Sequence, residues 1–256
     1  MGPRIAIPVP LSSDPAYVER SLPQYERAIE TAGGDPVRIP LDRSLEELEQ
    51  LLKSCQGVLL PGSGADVDPA EYQAERSPKT HDSDPRRHAV DWALLEDAFR
   101  QRKPVLGICY GLQSLNVYCR GSLIQHIESP VNHAAGRKVA VAHEVEIEPD
   151  STLALLIDRR VTRESRSEKS LILPVNSSHH QSAEAVGQGL RIVARCPQDG
   201  IVEALEGTTP GHFVVAVQWH PERSVDADES SPAIFRGFVE AVRCRAGTPA
   251  RDNSGE

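Results

Sequence analysis

Cys109 stands between Gly107 and Gly111 in Lys103-Pro-Val-Leu-Gly-Ile-Cys-Tyr-Gly-Leu-Gln113, where one apolar run ends and another begins. The run Pro104–Ile108 reads as a short buried strand and Leu112–Tyr118 as the first turns of a helix, which puts the thiol at a strand-to-helix reversal. Such an elbow exposes its nucleophile. The glycines let the turn close tightly, and the amides that open the next helix favour both a thiolate and an oxyanion formed beside it. The pattern Gly-x-Cys-x-Gly is thus read as a nucleophile elbow with sulfur in place of a hydroxyl, and the chain as an enzyme.

A sulfur nucleophile needs a proton acceptor. His220 fits that task because it follows the apolar strand Phe213–Gln218 in Gln218-Trp219-His220-Pro221-Glu222, and α/β folds expose their reactive groups at strand ends. Pro221 stiffens the turn, and Glu222, two residues on, can orient the imidazole and stabilise its protonated form. The remaining cysteines, 55, 119, 196 and 244, show no ligand spacing and with Cys109 make an odd number, so no disulfide framework is expected. The nine histidines contain no HExxH-like motif, and the pair His179-His180 does not define a metal site by itself; no metal and no cofactor are expected.

The elements that position these groups follow βαβ grammar. Arg4–Val9 is expected as strand, about Val18–Ala32 as helix ended by Gly33-Gly34, and Pro36–Ile39 as strand. Ser44 with Glu47 forms a capping box ahead of the Leu45/Leu48/Leu52 stripe, and Gly57–Leu60 is the next buried strand. Beyond Pro61-Gly-Ser-Gly64 a polar loop runs to about Asp84, and a helix from about Arg86 to Gln101 feeds the elbow strand. Lys138–Glu148, Leu190–Cys196, Ile201–Glu206 and His212–Gln218 alternate in a way that suggests antiparallel additions, and Ser231–Cys244 reads as a closing helix. The fold class is therefore α/β, a mainly parallel sheet flanked by helices with antiparallel strands added.

At 256 residues, 39% hydrophobic and 25% charged, the chain is long enough for one sizeable core; a single domain over 1–245 and a flexible tail over 246–256 are expected. A net charge of −9 with scattered basic residues argues against a nucleic-acid partner. The densest basic cluster, Arg159, Arg160, Arg163 and Arg166, is broken by acidic neighbours and reads as a solvated face. No segment has the length and apolarity of a membrane span or a signal peptide, so the expected location is the cytoplasm and no membrane partner is expected.

The Gly-x-Cys-x-Gly elbow and His-Pro-Glu together resemble the class I glutamine amidotransferase-like cysteine hydrolases, a flavodoxin-like fold, over nearly the whole chain. Leu60-Pro-Gly-Ser-Gly-Ala-Asp-Val-Asp-Pro69, Leu115-Asn116, Gly121-Ser-Leu and Val175-Asn-Ser-Ser-His-His-Gln181 look like its gamma-glutamyl-gamma-aminobutyrate hydrolase branch. The resemblance implies that Cys109 attacks a small-molecule gamma-glutamyl amide, that a thioester forms and is hydrolysed to glutamate, and that His220 and Glu222 complete a triad. It further implies an oxyanion site from the backbone of Tyr110 and of the Pro61–Gly64 loop, at Gly64, and binding of the gamma-glutamyl end by the Gln113 side chain and the Ser177 and Ser178 backbone. Gln113 as a plain helix residue and 176–181 as a capping turn stay open beside these readings.

Two positions depart from the branch: Tyr110 stands where arginine is commoner, and Arg87-His88 where Arg-Asp is usual. They leave the leaving amine open. A glutaminase subunit that feeds ammonia to a separate synthetase is the second reading, and a non-catalytic binding protein on the same fold the third. Oligomeric state is open, a homodimer included.

Overall fold

A computed structural model describes residues 2–158 and 170–247 of the chain. Its first half is a βα alternation: strand Arg4–Pro8 (β1), helix Pro15–Thr31 (α1), strand Asp35–Ile39 (β2), helix Leu45–Lys53 (α2), strand Gly57–Leu60 (β3), helix Pro85–Gln101 (α3), strand Val105–Ile108 (β4) and helix Tyr110–Tyr118 (α4). The second half adds strands Leu123–Ile124 (β5) and His143–Ile147 (β6), helix Thr152–Ile157 (α5), strands Leu171–Val175 (β7), Ser182–Ala183 (β8), Leu190–Arg195 (β9), Val202–Gly207 (β10) and Val214–Val217 (β11), and helix Ser230–Gly247 (α6). Among the described residues one nine-stranded sheet runs β2-β1-β3-β4-β11-β10-β9-β6-β7, with β5 and β8 paired separately.

Strand periodicity divides the core in two. Ile5, Ile7, Leu59, Leu106 and Ile108 face α1 and α6, packing with Leu22, Tyr25, Phe235, Phe238 and Val242. Ala6, Val58, Leu60 and Val105 face the other way, onto Leu48, Leu52, Leu94, Leu95, Leu112 and Leu115 of α2, α3 and α4. Because β3, β4 and β11 are buried throughout, they read in sequence as continuous apolar runs instead of alternating ones.

Several boundaries differ from expectation for local reasons. Helix α1 starts at Pro15, before Val18, because the Asp14 side chain accepts the Tyr17 N–H and proline suits the first turn. The expected capping box of Ser44 and Glu47 is present. The segment 212–218 is not a wholly antiparallel addition: β11 lies parallel to β4 and antiparallel to β10, so it joins the two halves of the sheet. Of Lys138–Glu148 only His143–Ile147 is strand; Val145 and Ile147 are buried, whereas Val139 and Val141 are exposed. Helix α6 carries residues 246 and 247, which the tail was expected to include; residues 248–256 and the Arg159–Arg166 cluster lie outside the described residues.

Candidate active site

Three neighbouring parallel strands deliver the site from their C-terminal ends. β4 pairs with β3 on one side and β11 on the other, in the register Leu60↔Gly107 and Val217↔Ile108. Cys109 extends this pairing by donating its N–H to the Val217 carbonyl at 2.8 Å. The chain after β3 therefore brings the Pro61–Gly64 loop, β4 brings Cys109, and β11 brings His220 to one edge.

At Cys109 the backbone turns through φ 53° and ψ −104°, a region costly for a residue with a side chain. The tight fit around it explains the flanking glycines. A Cβ on Gly111 would lie 2.1 Å from the Leu60 carbonyl oxygen, and one on Gly107 2.9 Å from the Gly111 backbone. Helix α4 begins at once, at Tyr110, whose N–H points to the Cys109 sulfur and favours its anion. Gly62 fills the gap between the two candidate catalytic side chains: a Cβ there would be 2.9 Å from His220 Cε1 and 3.5 Å from Cys109 Cβ. Gly64 faces elsewhere, its missing Cβ directed at Leu11 and Tyr17.

His220 and Glu222 are buried, and the imidazole Nδ1 lies 2.8 Å from Glu222 Oε1. Burial pushes the Glu222 carboxyl upward, but His220 and Arg223 together hold it below the usual range. Burial also depresses the His220 imidazole, against the opposing pull of Glu222. At neutral pH this combination is an ionised carboxylate that accepts the Nδ1 proton of a neutral ring, leaving the Nε2 lone pair as a base. Burial pushes the Cys109 thiol up to about 12, with Arg223 lowering it and Glu222 raising it. The sulfur is thus a thiol at rest, able to act as a nucleophile once a base removes its proton.

Neighbouring residues hold this constellation in place. Asn176 clamps the His220 backbone, accepting its N–H at 3.0 Å and donating to its carbonyl at 2.9 Å. Arg223 bridges Glu222 and Ser178, with its Nε 3.4 Å from Glu222 Oε1 and its NH1 2.8 Å from Ser178 Oγ. Tyr25 accepts the Gly62 N–H at 3.1 Å. Arg87 is fully buried and donates to Asp91 and to the carbonyls of Pro10 and Pro61, with its guanidinium 4.8 Å from the Tyr110 ring centre. It thereby pins the loop that carries Gly62. Two of these supports lie in segments already singled out, Asn176 in Val175–Gln181 and Arg87 in Arg87-His88, but neither pattern signals the role; Tyr25 and Arg223 carry no motif at all.

Gln113 is buried, and its Nε2 donates to the Gln181 carbonyl at 3.1 Å and to Gln218 Oε1 at 3.4 Å. Ser177 accepts the Gly136 N–H on its carbonyl and sits beside Ser178 on the loop after β7. His179 donates Nδ1–H to the Gln181 carbonyl, and His180 lies 3.1 Å from Asp66. The polar loop after Tyr72 is tied down by Ser77 and Thr80 hydrogen bonds to Gln125 and by a Lys79–Glu128 ion pair. A cavity of about 530 Å³ opens between it and residues 122–128, away from Cys109. Cys55, Cys119 and Cys196 are buried, and Cys119 packs against the α3 side of the core.

The fold is that of glutamine amidotransferase-type domains. The glutaminase domain of Trypanosoma brucei CTPS, solved with bound acivicin, superposes with a TM-score of 0.59 at 18% identity, covering 94% of each chain. The chain belongs to the Peptidase C26 family, which it matches over residues 11–222. It is 36% identical over 234 residues to the gamma-glutamyl-gamma-aminobutyrate hydrolase of Escherichia coli O157:H7, covering 86% of this chain and 85% of that one. A Mycobacterium tuberculosis protein named among the glutamine amidotransferases is 37% identical over 228 residues, with 87% of this chain and 68% of that one covered. The chain is accordingly a glutamine amidotransferase-like hydrolase. No helix among the described residues is long and apolar enough to cross a membrane.

Proposed function

We propose that this hydrolase cleaves a gamma-glutamyl amide to glutamate and an amine, with Cys109, His220 and Glu222 as its triad. The observation that carries the reading is the emergence of Cys109 and the Glu222-bound His220 from adjacent parallel strands. His220 Nε2 takes the thiol proton as sulfur adds to the side-chain carbonyl, and Glu222 stabilises the imidazolium. Collapse of the tetrahedral adduct passes that proton to the leaving amine and leaves a gamma-glutamyl thioester. Water, deprotonated by the same nitrogen, then releases glutamate and restores the thiol.

The Tyr110 N–H receives the oxyanion. The Gly62 N–H is already donated to Tyr25, and the Gly64 N–H is the proposed donor from this loop. For the amino-acid end, Gln113 Oε1 is the acceptor left for the substrate ammonium, since Nε2 is engaged within the protein. The Ser177 and Ser178 N–H groups receive the carboxylate.

The relative named as a gamma-glutamyl-gamma-aminobutyrate hydrolase supports an amine carrying its own carboxylate. Tyr110 does not discriminate against that choice, because its side chain is buried beneath Arg87. The test is glutamate release by purified protein from gamma-glutamyl-gamma-aminobutyrate, other gamma-glutamyl amines, gamma-glutamyl peptides and glutamine. A higher kcat/KM for a gamma-glutamyl amine than for glutamine is expected. Glutamine as the best substrate, with turnover rising only when a synthetase is added, would replace this reading with the ammonia-supplying one.

A further inference from the structure

Behind the loop that carries Ser177 and Ser178, four buried side chains from four separate segments converge. They are His133, His143 at the start of β6, His179, and Glu203 on β10. Glu203 Oε1 lies 3.2 Å from His133 Nδ1, 3.4 Å from His143 Nε2 and 3.5 Å from His179 Nε2. All three of these nitrogens and both carboxylate oxygens lack a hydrogen-bond partner. Buried polar atoms are ordinarily paired, so five orphans meeting at one point require a cause.

The opposite side of each ring fixes which nitrogen bears the proton. His133 Nε2 is 2.8 Å from Asp199 Oδ2, His143 Nδ1 is 3.1 Å from the Glu144 carbonyl, and His179 Nδ1 is 3.0 Å from the Gln181 carbonyl. Each of those partners is an acceptor, so each ring donates outward and turns a lone pair inward. Three nitrogen lone pairs then face a carboxylate. Protonating one ring would pair only that ring with Glu203 and leave the other two unpaired. A cation satisfies all of them.

We propose that His133, His143, His179 and Glu203 form a structural binding site for a divalent transition metal, with zinc as the ion that fits best. Zinc–nitrogen and zinc–oxygen bonds of about 2.0–2.2 Å in a tetrahedron set ligand separations of roughly 3.3–3.5 Å. The separations from Glu203 Oε1 to His143 and His179, 3.4 and 3.5 Å, fall in that range, and the 3.2 Å to His133 lies about 0.1 Å short of it. The outward hydrogen bonds, above all His133 to Asp199, are the outer partners that orient metal-bound imidazoles. Four protein ligands close the coordination sphere, so the ion binds no substrate and activates no water. It fastens the 176–181 loop to β6 and β10, and with it Asn176, the clamp on His220. This inference is independent of the identity of the substrate.

The test is metal content and metal binding of the full chain. Protein from zinc-supplemented cells should hold about one zinc per chain by elemental analysis, as a closed site predicts. After chelation, added Co²⁺ should give the intense visible bands of a four-coordinate ion, and added Zn²⁺ should raise Tm. His143→Ala should abolish stoichiometric binding, whereas Asp199→Asn, which leaves every ligand in place, should weaken zinc about 10–100-fold. His81→Ala, which breaks the more exposed Asp66/His81/His180 group, should leave zinc content unchanged. The proposal is overturned if folded wild-type protein takes up neither zinc nor cobalt. It is equally overturned if cobalt shows only weak six-coordinate bands, or if binding survives Asp199→Asn undiminished and is lost in His81→Ala. Should His143→Ala fail to fold, the wild-type cobalt spectrum and the Asp199→Asn affinity decide.

Discussion

Replacing Gly62 by alanine puts a single methyl group where the site has no room for one. The new Cβ would lie 2.9 Å from His220 Cε1 and 3.0 Å from Tyr25 Oη. Carbon contacts relax at about 3.5–4.0 Å, so the ring must retreat by roughly 0.6 Å or more, or the loop must move. The loop is poorly placed to yield, because Arg87 holds the Pro61 carbonyl and Tyr25 holds the Gly62 N–H. The displaced ring is the proposed base, and misplacement on the order of 1 Å costs about 100-fold in rate. That is ~2.7 kcal/mol on the barrier. Overpacking should separately lower folding stability by about 1–3 kcal/mol. The assay is kcat for glutamate release at saturating substrate, measured well below the variant's Tm. Gly64→Ala, whose Cβ meets Leu11 at an ordinary 3.5 Å, serves as the comparison and should lose far less. A folded Gly62→Ala protein with wild-type kcat would refute the placement of His220 beside the nucleophile.

Cys109→Ala should abolish turnover while Cys119→Ala retains it, and a glutamine-analogue electrophile should label Cys109 alone by mass spectrometry; labelling elsewhere would count against the nucleophile. His220→Ala should lose about 100-fold or more, Glu222→Gln less, and the double variant no more than the worse single, since one group acts through the other; multiplied losses would contradict the pairing. Because burial depresses the His220 imidazole, the neutral base survives below the ordinary histidine range, and the acid limb of kcat/KM should fall there. Glu222→Gln removes a charge that raises that imidazole, so it should shift the limb to lower pH still; a shift upward would reverse the assignment. Arg87→Ala leaves Asp91 buried without its cation and should cost about 3–5 kcal/mol in urea unfolding, whereas Arg87→Leu with Asp91→Leu should cost less. A loss under about 1 kcal/mol in the single variant would show that the buried pair is not under that constraint.

The first half of the fold was legible because each element carries its own local cue: the Ser44 box, the Gly57–Leu60 run, the elbow glycines. The second half was less so. β7 alternates in burial, but its outward positions are Ile172 and Pro174, so its sequence reads as an unbroken apolar run, and β5 and β8 span two residues each. The placement of Cys109, His220 and Glu222 on one edge could be anticipated from strand ends, but their supports could not. Asn176, Tyr25 and Arg87 act on the site across 44, 37 and 26 residues of sequence, through contacts that exist only once the sheet is assembled. The histidine–glutamate cluster escaped a search for ligand spacing for the same reason, as its members come from four segments and no two share a short motif.

The place of β11 has a consequence for how the protein is made. Among the described residues it is the last strand of the sheet to leave the ribosome, yet it fills the slot beside β4 at the centre, between strands synthesised much earlier and the antiparallel half. A nascent chain that has passed β4 carries Cys109 but not His220, and the bonding edge of β4 that receives β11 stays unpaired until Val214–Val217 arrives. Insertion of that one strand at once closes the exposed edge, unites the two sheet halves and brings up the proposed base, His220. On the proposed mechanism, turnover is thereby coupled to completion of the sheet: a translation product that stops short of β11 has the cysteine but no His220 beside it to take its proton.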